Sequence, residues 1–370
     1  MDDSSPLRIV HTESSTGWGG QEIRILAEAE GMQRRGHRVE LLCPADAQIF
    51  RAAADRGLEV TALPIERKKV RGVLSLRDWF ARNTASVINT HSSTDSWLVA
   101  LATATLGDRP PLVRTRHVST PVSNKPSTRW LYTRATCHIV TTGEILRHQL
   151  AQSNGFALDR MTSAPTGIDL DRFVPAADRR LVRAQLGIPP DGHLVGILAT
   201  LRDWKGHRYL VDAFAAMNNP DSHLLIVGDG PEWGRIKEQV ERLGLGSRVI
   251  MPGNQNDVTP WLQSMDVFAL PSYANEGIPQ ALMQAMACGL PVITTSVGGI
   301  LEAVTDGESG IIVAGQQVAL LQAALERLRD DHALRTRLGL AAREKALRSF
   351  GIALMLDKME RVFRDAANHR

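Results

Sequence analysis

The sequence has few of the residues that mark several protein classes. Of its 370 residues only three are cysteine and 5% are aromatic, and 43 lysines and arginines nearly balance 40 acidic residues. The cysteines, Cys43, Cys137 and Cys288, are far apart and odd in number, so no disulfide framework is expected. We therefore expect the protein to work in a reducing compartment. Because concentrated positive charge and stacking aromatic residues are both missing, no nucleic-acid partner is expected.

Long apolar runs are also missing. The longest candidate, 97–106, is interrupted by threonine and has about half of the ~18–20 residues that a membrane span requires. Residues 1–6 are acidic and polar, which does not fit a signal peptide. We therefore predict a cytoplasmic protein.

What the sequence does contain is a regular alternation. Short apolar runs rich in β-branched residues alternate with longer amphipathic segments, a pattern typical of parallel α/β sheets. The length suits two domains of roughly 150–200 residues each. Strands are predicted at 7–11, 39–43, 60–64, 87–90, 112–115, 138–141, 194–199, 224–227, 249–251, 267–270, 292–295 and 311–313, and helices include 21–35, 233–243, 318–328, 333–347 and 352–367.

The alternation breaks once, between about residues 165 and 190, where glycines and prolines interrupt a charged stretch. We place the linker near Pro175, which predicts domains at 1–175 and 176–352. No internal repeat is visible.

The two halves also differ in charge. Residues 1–180 contain 24 basic and 19 acidic residues, whereas 181–370 contain 19 and 21, giving +5 and −2. The basic half suits an anionic substrate or membrane surface.

In open parallel sheets, ligands bind beyond the carboxyl ends of the strands, so the turns there are the candidate sites. The first strand is followed by Gly17, Gly19 and Gly20 and then by a helix. Glycines let a ligand approach the backbone, and the helix amides favour an anion, although a simple tight turn is the alternative. The pattern is not G-x-G-x-x-G, so a nicotinamide-dependent dehydrogenase is disfavoured.

Two further turns follow strands in the second half. Arg202 and Lys205, three residues apart, suit a diphosphate, because arginine binds two oxygens and lysine acts as a point charge. A solvated basic turn paired with Asp203 is equally compatible. The glycine-rich turn at 228–231 is equally compatible with a structural turn and with a ligand-binding loop.

The most informative stretch is 271–291. Its strand ends at 270, and Pro279 stands where a helix would begin, so the helix amides near residues 280–282 form an anion site. Glu276 precedes this helix, with a carboxylate that accepts hydrogen bonds from sugar hydroxyls. Gln284 follows eight residues later, about one turn into the helix.

This stretch resembles the E-x7-E motif of the family 4 glycosyltransferases, retaining GT-B enzymes that use nucleotide-sugar donors. The segments 34–39 and 166–173, the pair Gly19-Gly20, and the segment 292–313 also resemble the family in the expected order. The resemblance implies an α/β protein of the GT-B class, with two Rossmann-like doubly wound domains facing a central cleft. It also implies that a helix at about 353–370 packs back on the first domain.

The resemblance implies residue roles as well. Arg202 and Lys205 would neutralise the donor diphosphate, Glu276 would hold the sugar hydroxyls, and His117 would line the sugar site. A structural histidine is the alternative for His117, and His91 is a weaker candidate on the same cleft. The predicted catalytic residues are thus Glu276, His117, Arg202 and Lys205, with donor contacts from Gly19, Gly20, Gly277, Gln280, Ala281, Leu282 and Gln284.

The sequence departs from the family at Gln284, where a second glutamate is usual, and at Thr166, where asparagine is usual. The spacing of Arg202 and Lys205 is also shorter than the family often shows. An amide accepts hydrogen bonds but lacks the charge that strengthens them, so we expect altered donor affinity or nucleotide preference rather than inactivity.

Asp169 and Asp171 form a D-x-D sequence, which binds a divalent metal in other glycosyltransferases. Here it lies in the predicted linker and is interpreted as structural. Because Arg202, Lys205 and a helix amino terminus supply positive charge, no metal and no cofactor are expected.

The predicted function is retaining transfer of a sugar from a nucleotide-sugar donor to a hydroxyl of a growing glycan or lipid-linked acceptor, in lipopolysaccharide, capsule or exopolysaccharide synthesis. Basic residues including Lys68 and Lys69 are acceptor-side candidates that either form a solvated face or dock to the anionic cytoplasmic face of the inner membrane. The alternatives are another GT-B enzyme, such as a nucleotide-sugar epimerase, and a non-catalytic sugar-nucleotide-binding assembly protein.

Overall fold

The computed structural model describes residues 5–368, which fold as two compact units. The first unit joins the chain up to Gly167 to the segment from Ala353 onward, and the second spans Ile168–Ile352. The division precedes the sequence-based boundary at 175, because Ile168 and Phe173 are buried in the apolar core of the second unit.

The first unit contains a seven-stranded sheet in the order β3-β2-β1-β4-β5-β6-β7, and all its neighbouring strands are parallel. The chain therefore starts in the middle, builds one side and then the other, which places the topological switch point between β1 and β4. The strands are β1 (Arg8–Thr12), β2 (Arg38–Cys43), β3 (Glu59–Ala62), β4 (Val87–Thr90), β5 (Leu112–Arg116), β6 (His138–Thr141) and β7 (Met161–Ser163).

The second unit repeats this plan with six parallel strands in the order β10-β9-β8-β11-β12-β13. Its switch point lies between β8 and β11. The strands are β8 (His193–Leu198), β9 (Ser222–Val227), β10 (Val249–Gly253), β11 (Val267–Leu270), β12 (Val292–Thr294) and β13 (Ile311–Ile312).

Helices follow most strands, as the amphipathic segments predict. The helices are α1 (Gly20–Arg34), α2 (Gln48–Ala54), α3 (Val70–Arg82), α4 (Ser93–Thr103), α5 (Pro126–Trp130), α6 (Glu144–Asn154), α7 (Arg179–Gln185), α8 (His207–Ala216), α9 (Trp233–Arg242), α10 (Thr259–Ser264), α11 (Gln280–Ala287), α12 (Ile300–Ala303), α13 (Val318–Asp330), α14 (His332–Ser349) and α15 (Ile352–Asn368). None of them is long and apolar enough to cross a membrane.

Helix α15 packs against the first unit, although it follows the second in sequence. Its Met359 and Phe363 are fully buried, and its Glu360 accepts a hydrogen bond from Arg35 of the first unit at 2.8 Å. The predicted end of this helix, residues 369–370, lies outside the described residues.

Candidate functional site

In the second unit, two predicted residues meet at the switch point. Lys205 lies in a short 3₁₀ turn after β8, and Glu276 lies in the loop after the neighbouring strand β11. The Lys205 Nζ is 2.7 Å from Oε1 and 3.0 Å from Oε2 of Glu276. Glu276 is buried, whereas the Lys205 side chain keeps 19% of its surface exposed. Each charge is therefore the counter-ion of the other.

Close backbone packing holds these two loops. Gly298, at φ +58°, lies so near Glu276 that a Cβ atom there would be 1.9 Å from the Glu276 carbonyl oxygen. Gly206, at φ +78°, similarly approaches the Pro271 carbonyl, which an added Cβ would meet at 2.2 Å. The Tyr273 amide also donates to the Trp204 carbonyl at 2.9 Å. The position of Glu276 is therefore set by backbone contacts that only glycine allows.

Arg202 is close to Lys205 in sequence but takes no part in the ion pair between Lys205 and Glu276. Its exposed guanidinium lies 5.3 Å from the centre of the Trp204 ring and makes no ion pair within residues 5–368. A cation on an aromatic face is weakly held, so Arg202 is available for an anionic ligand.

Helix α11 begins directly after Pro279, as predicted. Gln280, Ala281 and Leu282 form its first turn, but Leu282 is fully buried in the core and so offers only its backbone amide. Gln284 is buried farther along the same helix.

The remaining second-unit candidates lie in closely packed turns. Gly277 packs against Gly299, where an added Cβ would lie 2.9 Å from the Gly277 carbonyl carbon. In the D-x-D sequence, Asp169 Oδ1 accepts hydrogen bonds from the amides of Asp171 and Arg172 at 3.2 and 3.1 Å, and thus stabilises a turn.

In the first unit, the two predicted histidines meet and a third joins them. His91 follows β4, His117 follows β5, and His11 lies within β1. His91 Nδ1 is 3.0 Å from His117 Nε2, and His91 Nε2 is 3.0 Å from His11 Nδ1. Burial lowers the pKa of His91 and His117 well below the usual value, and burial together with the Arg24 cation lowers that of His11 to about 3.

Two buried carboxyl groups lie at the same strand ends. Glu13 follows β1 and accepts hydrogen bonds from the Ser15 amide at 2.7 Å and from the Gln21 side chain. Asp95 accepts from Thr12 Oγ1 and from the His91 amide, each at 2.8 Å. Burial, and then the nearby Asp95 charge, raise the pKa of Glu13 to about 8.

The other first-unit candidates lie at or near the starts of helices α1, α3 and α4. Gly19 precedes α1 and Gly20 begins it. Lys68 donates to Ser93 Oγ at 3.1 Å, at the start of α4, whereas Lys69 is exposed at the start of α3. Partial burial and the neighbouring Arg114 lower the pKa of Lys68.

His11, Glu13 and Asp95 are the site residues that sequence reasoning missed. Glu13 is the first residue after β1, so the strand-end rule that selected His91 also applies to it. His11 lies inside an apolar strand, where a histidine gives no signal until its partners are known.

Two doubly wound parallel units of this kind define the GT-B class of glycosyltransferase folds, and comparison with solved structures agrees. A glycosyltransferase from Rickettsia africae superposes with a TM-score of 0.87 at 18% identity, covering 99% of this chain and 100% of that one. Anabaena Alr3699/HepE in complex with UDP-glucose superposes with a TM-score of 0.86 at 21% identity, covering 97% and 100%.

Sequence comparison gives the family. Residues 18–172 match the model of Glycosyltransferase Family 4, and residues 178–345 match that of Glycosyl transferases group 1. A D-inositol 3-phosphate glycosyltransferase from Corynebacterium glutamicum is 27% identical over 98% of this chain and 95% of its own length. The chain belongs to the family 4 glycosyltransferases of the group 1 type, which confirms the predicted family and fold, and it is a glycosyltransferase.

Proposed function

We propose that this enzyme transfers a sugar from a nucleoside-diphosphate sugar to an acceptor hydroxyl with retention of the anomeric configuration. The contact between Lys205 and Glu276 carries this proposal, because it places a cation and a sugar-hydroxyl acceptor at one switch point. The similarity to a structure containing UDP-glucose supports a uridine nucleotide as the first donor to test.

Donor binding exchanges the partners of this ion pair. The Lys205 ammonium turns to the diphosphate, and the freed Glu276 carboxylate accepts hydrogen bonds from the sugar hydroxyls. Arg202, which holds no ion pair of its own in the described chain, joins Lys205 on the phosphate oxygens. We expect no cofactor or metal, because these cations and the first-turn amides of α11 supply the positive charge.

The transfer step then breaks the bond between the sugar C1 and the phosphate oxygen, and that bonding pair leaves with the nucleoside diphosphate. The acceptor oxygen attacks C1 from the same face and gives its proton to the departing phosphate oxygen, so the configuration is retained. The protein contributes orientation and stabilisation of the charge that develops on the diphosphate.

For the acceptor, we propose a glycan or lipid-linked hydroxyl at an anionic membrane surface, as in lipopolysaccharide, capsule or exopolysaccharide synthesis. Val70 and Leu74 of α3 are 74% and 53% exposed, and the adjacent basic residues Arg67, Lys68, Lys69 and Arg71 are exposed as well. Apolar side chains among cations suit the boundary between lipid headgroups and acyl chains. A soluble phosphorylated polyol is the second candidate, since the Corynebacterium glutamicum relative is named for D-inositol 3-phosphate.

A panel of nucleotide sugars, each with either a lipid-linked glycan or an inositol phosphate, tests the reaction. Nucleotide release that depends on acceptor, with a product of the donor's anomeric configuration by NMR, supports the proposal. Acceptor-independent conversion of the donor to a free sugar or an epimer favours the epimerase-type reaction, and tight binding without turnover favours an assembly role. An inverted product overturns the retaining mechanism.

Vesicles of anionic phospholipid test the membrane contact separately. Lys68→Gln with Lys69→Gln should weaken co-sedimentation, whereas Lys237→Gln, an exposed lysine of the second unit, should not. Unchanged binding by the double variant would remove the support for a membrane acceptor.

A further inference from the structure

Three histidines form a continuous hydrogen-bonded chain at the carboxyl ends of β1, β4 and β5. The order is His11, His91 and His117, with a ring nitrogen pair 3.0 Å apart at each junction. His11 is fully buried, His91 nearly so, and His117 is the end that retains solvent exposure.

The rings in this chain are neutral at physiological pH. They are held within the protein, and Arg24, a fully buried cation, lies close enough to disfavour further positive charge on all three. Arg116 adds to this effect at His117. A neutral imidazole carries one N–H donor and one lone-pair acceptor.

The protons must therefore all point in one direction. His91 uses both of its ring nitrogens on histidines, so it donates to one neighbour and accepts from the other. Either each ring donates toward His117 or each donates toward His11, and the tautomers of the two end rings are coupled through His91.

The environment of His11 selects between these two directions. Its Nε2 is buried and has no hydrogen-bond partner. Protons directed toward His11 would leave an N–H on this nitrogen with no acceptor, and orphaned buried N–H groups are rare in folded proteins. Protons directed toward His117 leave only a lone pair there, which the positive charge of Arg24 favours over an N–H.

We infer that His11 and His91 are positioning residues that hold His117 in its neutral Nδ1–H tautomer, so that it donates a hydrogen bond to a substrate oxygen. His117 Nε2 accepts from His91, and His117 Nδ1 makes no hydrogen bond within residues 5–368. The identity of that oxygen as a sugar hydroxyl rests on the proposed function. In this tautomer His117 has no free lone pair, so it orients the hydroxyl and does not remove its proton.

The tautomer is measured directly in the ligand-free, full-length protein labelled with ¹⁵N-histidine. Long-range ¹H–¹⁵N correlations at pH 7, assigned with His117→Gln, should show His117 protonated on Nδ1 and His11 also protonated on Nδ1. A proton on His117 Nε2, or exchange between both tautomers, overturns the inference. This readout needs no donor sugar and no acceptor, so it stands whether or not sugar transfer is observed.

Two variants of nearly equal shape test the coupling at the middle ring. In His91→Asn the amide nitrogen takes the place of Nδ1 and donates to His117, whereas His91→Leu has no donor there. The Asn variant should keep the His117 Nδ1–H signal. The Leu variant should show His117 exchanging between both tautomers and a kcat about tenfold below that of the Asn variant, the scale of one hydrogen bond. A Leu variant that keeps both the signal and the rate, or an Asn variant that loses both, contradicts the relay.

Discussion

The two units use the same sheet plan but build their switch points in opposite ways. In the first unit, His11, Glu13 and His91 are buried beneath the strand ends and bonded to fixed partners. In the second, Arg202 and Lys205 lie on a partly exposed turn, and glycines hold the backbone around Glu276. The first arrangement fixes proton positions before any ligand arrives, whereas the second fixes the backbone and leaves the charges free to change partners.

The largest effect on the second unit's site is expected from removing the Glu276 carboxylate. Glu276→Ala should lower kcat/KM on the order of 10²–10³-fold with the fold intact, because a hydrogen-bond acceptor for the transferred sugar is lost. Steady-state kinetics with circular dichroism measures both effects. Glu308→Ala, an exposed glutamate of the same unit, serves as the control. Near wild-type turnover in Glu276→Ala would refute the site.

The backbone part of that arrangement is tested at Gly298. Gly298→Ala should cost about 3 kcal/mol of unfolding free energy, because its Cβ would collide with the Glu276 carbonyl at a positive φ. Gly307→Ala is the matched control, since Gly307 has φ +70° but no atom within 4 Å of an added Cβ, and should cost only about 1 kcal/mol. Equal destabilisation in urea titrations would show that the close approach does not matter.

Removing the exposed cation of Arg202 should lower activity less than removing the buried carboxylate of Glu276. Arg202→Ala should weaken donor binding about tenfold and lower the rate, the scale of one charge-assisted hydrogen bond. Calorimetric titration with the nucleoside diphosphate measures the affinity, and Arg235→Ala, an exposed arginine on α9, is the control. Unchanged affinity in Arg202→Ala would exclude the phosphate role.

The buried carboxyl group of Glu13 in the first unit should make the stability of the protein depend on pH. Because the pKa of Glu13 is raised from 4.5 to about 8, the folded state holds a proton that the unfolded state releases, and the free energy of unfolding falls as pH rises between these values. From pH 7 to 9 this loss should be on the order of 1 kcal/mol. Denaturant unfolding of Glu13→Gln should lack it, whereas Glu66→Gln, exposed in the same unit, should keep it. A wild-type pH slope in Glu13→Gln would contradict the buried, protonated carboxyl.

Periodicity and strand-end chemistry predicted most of the architecture. All twelve predicted strands are present, with ends that differ by at most two residues, because buried parallel strands are continuous apolar runs. Strand β7 was missed, since it has only three residues and two of them, Thr162 and Ser163, are polar. It is an edge strand, where one neighbour suffices to order a segment of low apolar content.

The candidate site was predictable only where one strand end carries its own chemistry. His91, His117, Lys205 and Glu276 were selected from residues that follow strands, together with the family resemblance, and their roles stay predictions. The pairing of Lys205 with Glu276 was not, because it joins residues 71 positions apart that meet only when β8 and β11 become neighbours. The same holds for His11, whose partner His91 is 80 residues away.

The way the chain leaves and re-enters the first unit sets an order of assembly during synthesis. The second unit is an insertion whose own ends meet, since Ile168 pairs with Gly351 in a parallel bridge. It is therefore complete once the ribosome has passed residue 352, whereas the first unit still lacks Met359 and Phe363 from its core. The first unit thus begins before the second but is completed after it, and its apolar surface stays uncovered until α15 has been synthesised.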